Sequence, residues 1–173
     1  MTRVSVLFAF LIAIASLLPA QSAGDRAQAR ILKEVGHELR MLPYFTVFDN
    51  LTYQVNGNQV VLTGQVTKPT LKDEAGRVVK AIEGVESVTN NIEVLPVSPM
   101  DDQIRVAVFR AVYGKPGMDR YSHQAMPSIH IIVKNGNVTL EGYVDNQGDM
   151  DRAGIYANGV PGVFSVTNNL KIG

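Results

Sequence analysis

The 173-residue chain contains no cysteine. That absence excludes disulfides, thiolate metal centres and a lipid-modified N-terminal cysteine, so the fold must be held by its apolar core. Charge is sparse and balanced, with 16 Lys and Arg against 16 Asp and Glu and 18% charged residues in all. No basic excess points to nucleic acid, and 46% hydrophobic residues is too apolar for a disordered chain. The three histidines, His37, His123 and His130, are scattered and lack the helical i, i+4 spacing and third ligand of a zinc site. A nucleophile with its base, or a pair of catalytic carboxylates, is not discernible either. Asp145, Asp149 and Asp151 lie close together, but their stretch lacks the Gly at the sixth place and the Glu at the twelfth of an EF-hand loop, and it reads as a helix-capping acidic turn. Gly114-Lys115-Pro116-Gly117 matches the four-residue GXXG clamp of RNA-binding KH domains, yet it follows a helix and precedes a long loop rather than joining two helices. The expectation is a protein that is not an enzyme, needs no cofactor or metal, and binds no nucleic acid.

What is present is a duplication. Val60 to Val94 lies over Val138 to Ile172 at a constant offset of 78 residues, without a gap. Leu62 matches Leu140, Gly64 matches Gly142, Ala75 matches Ala153, and Gly84-Val85 matches Gly162-Val163. Both copies close on Ser-Val-Thr-Asn-Asn, at Ser87 to Asn91 and Ser165 to Asn169. A repeat of this length outranks the single-domain expectation from chain length. Each unit is near the size at which a domain only just buries enough apolar surface to fold alone, so the two are expected to dock on each other.

Residues 1–22 read as a cleaved secretory signal: Arg3, the apolar run Val4 to Leu18, and small residues at Ala20-Gln21-Ser22. The run is shorter than the ~20 residues that span a bilayer. The first unit, 25–95, opens with Asp25 as a cap and a helix carrying Ile31, Leu32, Val35, Leu39 and Leu42, stopped by Pro43. Period-two alternation begins at Phe45 and Val47, turns at Asn56-Gly57-Asn58 with one residue more than the second hairpin, and returns through Val66. Thr70 with Asp73 starts a second helix, Gly84 ends it as a left-handed cap, and Val85 to Val94 is a last strand. A linker, 96–100, leads to the second unit, 101–173, where Asp101 or Asp102 caps a helix. Asn135-Gly136 turns a hairpin, Asp149 to Val160 is helical, and Val163 to Ile172 closes. The fold class is α+β: two tandem α-β-β-α-β units, each a small mixed three-stranded sheet with two helices on one face. Gly64, Gly84, Gly142 and Gly162 read as structural, the two in strands marking a bulge or a closely packed helix. In Asn90-Asn91 and Asn168-Asn169, one amide of each pair faces in and satisfies nearby backbone.

Twice over, the sequence has a hairpin Asn-Gly, Val-x-Leu-x-Gly-x-Val, a helix with its Ala, a Gly-Val pair, and Val-x-Asn-x-(Ile or Leu)-x-Val. This ordered set, over about residues 27–172, resembles BON domains, named for bacterial osmotically induced and nodulation proteins. The resemblance implies a non-enzymatic module of the bacterial envelope, linked to envelope integrity or osmotic stress, that binds phospholipid membranes or assists envelope proteins. With the signal segment it implies a periplasmic location. One charged constellation fits an anionic lipid surface: Arg105, Arg110, Lys115 and Arg120 interleaved with Phe109, Tyr113 and Tyr121, since rings sit at headgroup depth and each cation near the surface adds ~1 kcal/mol. The alternative is a periplasmic chaperone or assembly factor that grips client proteins with the open sheet faces.

Overall fold

The computed structural model describes residues 23–124 and 126–173; the expected signal segment, 1–22, lies outside the described residues. The first unit runs α1 (Ala23–Arg40), β1 (Asn50–Asn56), β2 (Gln59–Val66), α2 (Pro69–Lys80), β3 (Ser87–Asn90) and β4 (Glu93–Val94). The second runs α3 (Pro99–Tyr113), β5 (Ile129–Lys134), β6 (Asn137–Val144), α4 (Gln147–Asn158), β7 (Ser165–Asn168) and β8 (Lys171–Ile172). In each unit the hairpin pairs antiparallel, and its second strand then pairs in parallel with the closing strand after a helical crossover. The closing strand is broken in two: β3 and β4 both pair with β2, and β7 and β8 both pair with β6.

Alternation decides what each sheet buries. Val55, Val60, Leu62 and Val66 meet Ile31, Val35 and Leu39 of α1 and Leu71, Ala75 and Val79 of α2 in one core. Ile129, Ile131, Val133, Val138 and Leu140 meet Ile104, Val108 and Val112 of α3 and Ala153 and Ala157 of α4 in the other. Leu32, placed on the core face by its spacing, is 47% exposed, because Ile31 and Val35 already fill that turn of the stripe.

Several element ends differ from the sequence expectation for identifiable reasons. Asp25 lies inside the first turn of α1, where a carboxylate favours the positive end of the helix dipole, rather than capping it. Residues 45–49 are a turn, so β1 begins at Asn50. Thr70 does not cap α2; Lys68 holds that place without a side-chain bond, and Pro69 needs no N–H partner there. Helix α3 starts at Pro99, inside the expected linker, capped by Ser98 accepting from Asp101 N. Asn146 caps α4 by accepting from Asp149 N. Both hairpins have two-residue turns, since Asn56 pairs with Gln59 and Lys134 with Asn137; the first has no extra residue.

The glycine readings change in cause rather than kind. Gly64 (φ 118°) and Gly142 (φ 111°) interrupt no register, so there is no bulge, and what crowds them is not a helix. A Cβ at Gly64 would stand 2.1 Å from Asn50 O, and one at Gly142 2.0 Å from Ser128 O, so the neighbouring hairpin backbone excludes a side chain. Gly84 and Gly162 do not cap helices. They take third place in turns closed by Val85 N to Ile82 O and Val163 N to Val160 O, where φ of 92° and 90° demands glycine.

The two units touch along the outer edge of β5. Ile131 N donates to Val47 O at 2.7 Å, and His130 Nδ1 lies 2.6 Å from Asp49 O, so that nitrogen carries the proton. The His130 ring stacks on Phe45, and Phe48 meets Phe109 edge to face at 6.2 Å between centroids. The turn that presents these carbonyls is fixed by the buried Asp49 carboxylate, which accepts from the N–H and hydroxyl of both Thr46 and Thr67.

Candidate functional site

The seven residues of the basic and aromatic constellation do not form one surface. Arg105 is 4% exposed, bonded to Asp102 and donating to Val133 O at 2.7 Å. Tyr113 is 5% exposed and its hydroxyl donates to Ile129 O; burial pushes that phenol well above the usual range, opposed by the Ile129 N–H, which donates to the same oxygen. Tyr121 is 3% exposed and donates to Asp149 at 2.6 Å, while accepting from Asp145 N. Phe109 packs between Phe48 and Tyr113. Phe109 and Tyr113 are turned to the core side of α3, Tyr121 is drawn inward from the 119–122 turn by Asp149, and Arg105 is held by Asp102 and Val133 O. Arg120 is half-exposed and engaged by Asp145 and Asp149. Arg110 and Lys115 are left facing solvent, Lys115 over the Tyr156 ring at 5.7 Å.

The acidic stretch is also structural. Asp149 is fully buried and is held by Tyr121, Arg120, Arg152 and Asn146. Burial raises its pKa, but the Tyr121 hydroxyl, Arg152 and Arg120 outweigh burial and hold it below the ordinary value of 3.8. Among the described residues no group of three or more His, Cys, Asp or Glu is placed to hold a metal ion, and no helix is long and apolar enough to cross a membrane.

The feature that spacing did not reveal is a groove between the two helices of each unit, present twice with different linings. Aligning the core residues Ile31, Val35 and Leu39 with Ile104, Val108 and Val112 puts the two grooves in register. Each encloses about 410 Å³. In the first unit its walls carry Glu34, Glu38, Arg77 and Glu83; at the same four places the second unit has Ala107, Ala111, Ile155 and Pro161. The floor is alike, Val78, Ala81 and Ile82 against Tyr156, Gly159 and Val160. Two further hollows continue the apolar one along α3, past Val106 and Arg110 on one side and past Met100 and Gly162 on the other. Ile155 is 67% exposed, Met100 69% and Phe164 84%, where the first unit has Glu86 in place of Phe164. Lys115 lines the groove, and Arg110 the hollow beside it. The repeat alignment held this signal, but only the helix pairing shows that the substituted positions share a surface.

Comparison with known proteins agrees with the repeat. The profile of the BON domain matches residues 27–96 and again 101–173. Osmotically-inducible protein Y of Escherichia coli K12 is 31% identical over 125 residues, which takes in 70% of this chain and 61% of that relative; the chain thus spans about three fifths of the relative's length. Among solved structures, CdsD, a structural protein of the type III secretion system of Chlamydia trachomatis, aligns at 15% identity with a TM-score of 0.32, covering 83% of this chain and 93% of that one. Its C-terminal domain aligns at 15% identity and a TM-score of 0.30, covering 84% and 98%. With both of its units matched, this chain belongs to the BON domain family.

Proposed function

We propose that this is an exported, non-enzymatic protein of the bacterial envelope that docks on anionic phospholipid bilayers through the α3/α4 face of its second unit. The observation that carries the reading is the internal comparison. Two copies of one fold share a groove, and the second has exchanged Glu34, Glu38, Arg77 and Glu83 for Ala107, Ala111, Ile155 and Pro161. A solvated surface gains nothing from exposing Ile155 and Met100 along one run of hollows, whereas a bilayer interface buries them at ~25 cal/mol per Å² of apolar area. Arg110 and Lys115 supply the attraction to anionic headgroups. Membership of the BON family and the likeness to an osmotically inducible protein support an envelope role tied to osmotic stress, and the expected signal segment supports the periplasm.

Co-sedimentation with vesicles tests it. Protein expressed from the full-length sequence and purified should pellet with phosphatidylglycerol-containing vesicles and stay in solution with purely zwitterionic ones. No pelleting with either would refute the reading, and suppression of client aggregation by the same protein would then favour the chaperone alternative.

A further inference from the structure

Four turns in the chain share one geometry. Each is closed by a bond from its fourth N–H to its first carbonyl: Leu42 to Phe45, Ile82 to Val85, Lys115 to Met118 and Val160 to Val163. Each has a positive φ at its third residue, the place that favours glycine because a Cβ collides there with the chain's own backbone. Gly84, Gly117 and Gly162 hold that place at φ of 92°, 84° and 90°, but in the first turn it belongs to Tyr44, at 67°. The contrast is sharpest with the turn after α3, which is the repeat equivalent of the one after α1. Leu42-Pro43-Tyr44-Phe45 matches Lys115-Pro116-Gly117-Met118, proline included.

A tyrosine is thus kept where the same protein elsewhere uses glycine, and packing does not account for it. Tyr44 is 71% exposed, and what meets its ring is the Lys68 ammonium, 4.7 Å from the centroid. Met41, three residues earlier, is 68% exposed. Strain retained at an exposed side chain marks a side chain kept for what it touches outside the protein.

We infer that Tyr44, Met41 and Lys68 form a second bilayer contact, on the first unit, resting on the membrane reading given above. The chemistry is that of the headgroup zone: a ring with an apolar body and a polar tip, a flexible apolar chain beside it, and a cation that an anionic lipid surface attracts. The α3/α4 face supplies the larger apolar area, and the Tyr44 turn supplies the second point.

The absence of tryptophan from the chain makes the test direct, because Tyr44→Trp introduces a single reporter. In the full-length expressed protein, its emission should shift to the blue on phosphatidylglycerol vesicles and be quenched by bromine-labelled acyl chains. Tyr44→Gly should melt at a higher temperature than the wild type, since it relieves the turn, yet need several-fold more vesicles for half-maximal binding. Vesicle binding by Tyr44→Trp without a spectral shift, unchanged affinity of Tyr44→Gly, or a lower melting temperature for it would each overturn the inference. If Ile155→Glu abolishes binding while Tyr44→Gly leaves it intact, this second contact falls and the α3/α4 reading stands. If the wild type binds no vesicles, both fall together.

Discussion

Asn90 occupies the space that Gly76 leaves open on α2. A Cβ on Gly76 would stand 2.9 Å from Asn90 Nδ2, and that amide donates to Lys72 O at 2.8 Å while its oxygen accepts from Ile92 N. The second unit repeats the pair: a Cβ on Gly154 would stand 3.0 Å from Asn168 Nδ2, and that amide donates to Met150 O. The break between β3 and β4 is thereby tied to Lys72 O of the helix above it, and the same side chain satisfies Ile92 N, which lies in the break.

Gly76→Ala should therefore destabilise the protein, although alanine is favoured over glycine in a helix by ~1 kcal/mol. The methyl displaces the Asn90 amide, and two hydrogen bonds worth ~1 kcal/mol each go with it. Urea melts of Gly76→Ala, Asn90→Ala and the double variant check this. The double variant should be less destabilised than the sum of the singles, because the clash exists only while Asn90 is present.

Gly64→Ala and Gly142→Ala should each cost a few kcal/mol in the same assay. Both combine a positive φ with an approach of 2.1 or 2.0 Å to a carbonyl oxygen of the neighbouring hairpin segment, and rigid backbone cannot give way as a side-chain end can. Midpoints equal to the wild type would contradict the close approach.

Acid should weaken the fold in two stages. Burial lowers the His130 pKa below 6.5, opposed by the Asp49 carbonyl and by the charges of Asp49 and Glu141. The unfolded chain then binds a proton that the folded one resists, so stability is complete above pH 6.5 and is lost as pH falls from there toward the depressed folded value. Asp149, held below 3.8, contributes stability above that value that disappears as pH falls through its folded pKa. Melting temperature against pH should show both declines. His130→Gln, which cannot titrate, should flatten the first and leave the second in place.

Transplanting the first unit's residues into the second groove, Ile155→Arg with Pro161→Glu, should reduce binding to anionic vesicles about tenfold or more with little change in melting temperature, since Ile155 is exposed and Pro161 lies in a surface turn. Arg110→Glu with Lys115→Glu should do the same through charge, each cation being worth ~1 kcal/mol near the surface. Wild-type binding should fall with added salt as the Debye length shrinks from ~10 Å at 0.1 M to ~3 Å at 1 M.

Sequence alone determined the duplication, the α-β-β-α-β order and the core stripes, because a period of two or of 3.6 residues is a local property written directly in the chain. It also identified Gly64 and Gly142 as structural, since a glycine repeated inside two strands has a backbone cause. Tertiary structure decided which residues face a partner. Phe109 and Tyr113 stand near Arg110 in sequence, but a helix turns ~100° per residue, so on α3 the rings and the cation point in different directions, and Tyr121 is drawn inward by Asp149 from a separate turn. Asp49 carries no sequence signal, and Asp101 and Asp149 read only as helix-capping residues; all three are buried, because each answers backbone or cationic donors brought from 18 to 35 residues away. The groove of the second unit takes its walls from two helices separated by a whole hairpin, and the meaning of Ala107 beside Ile155 exists only once α3 and α4 pack together.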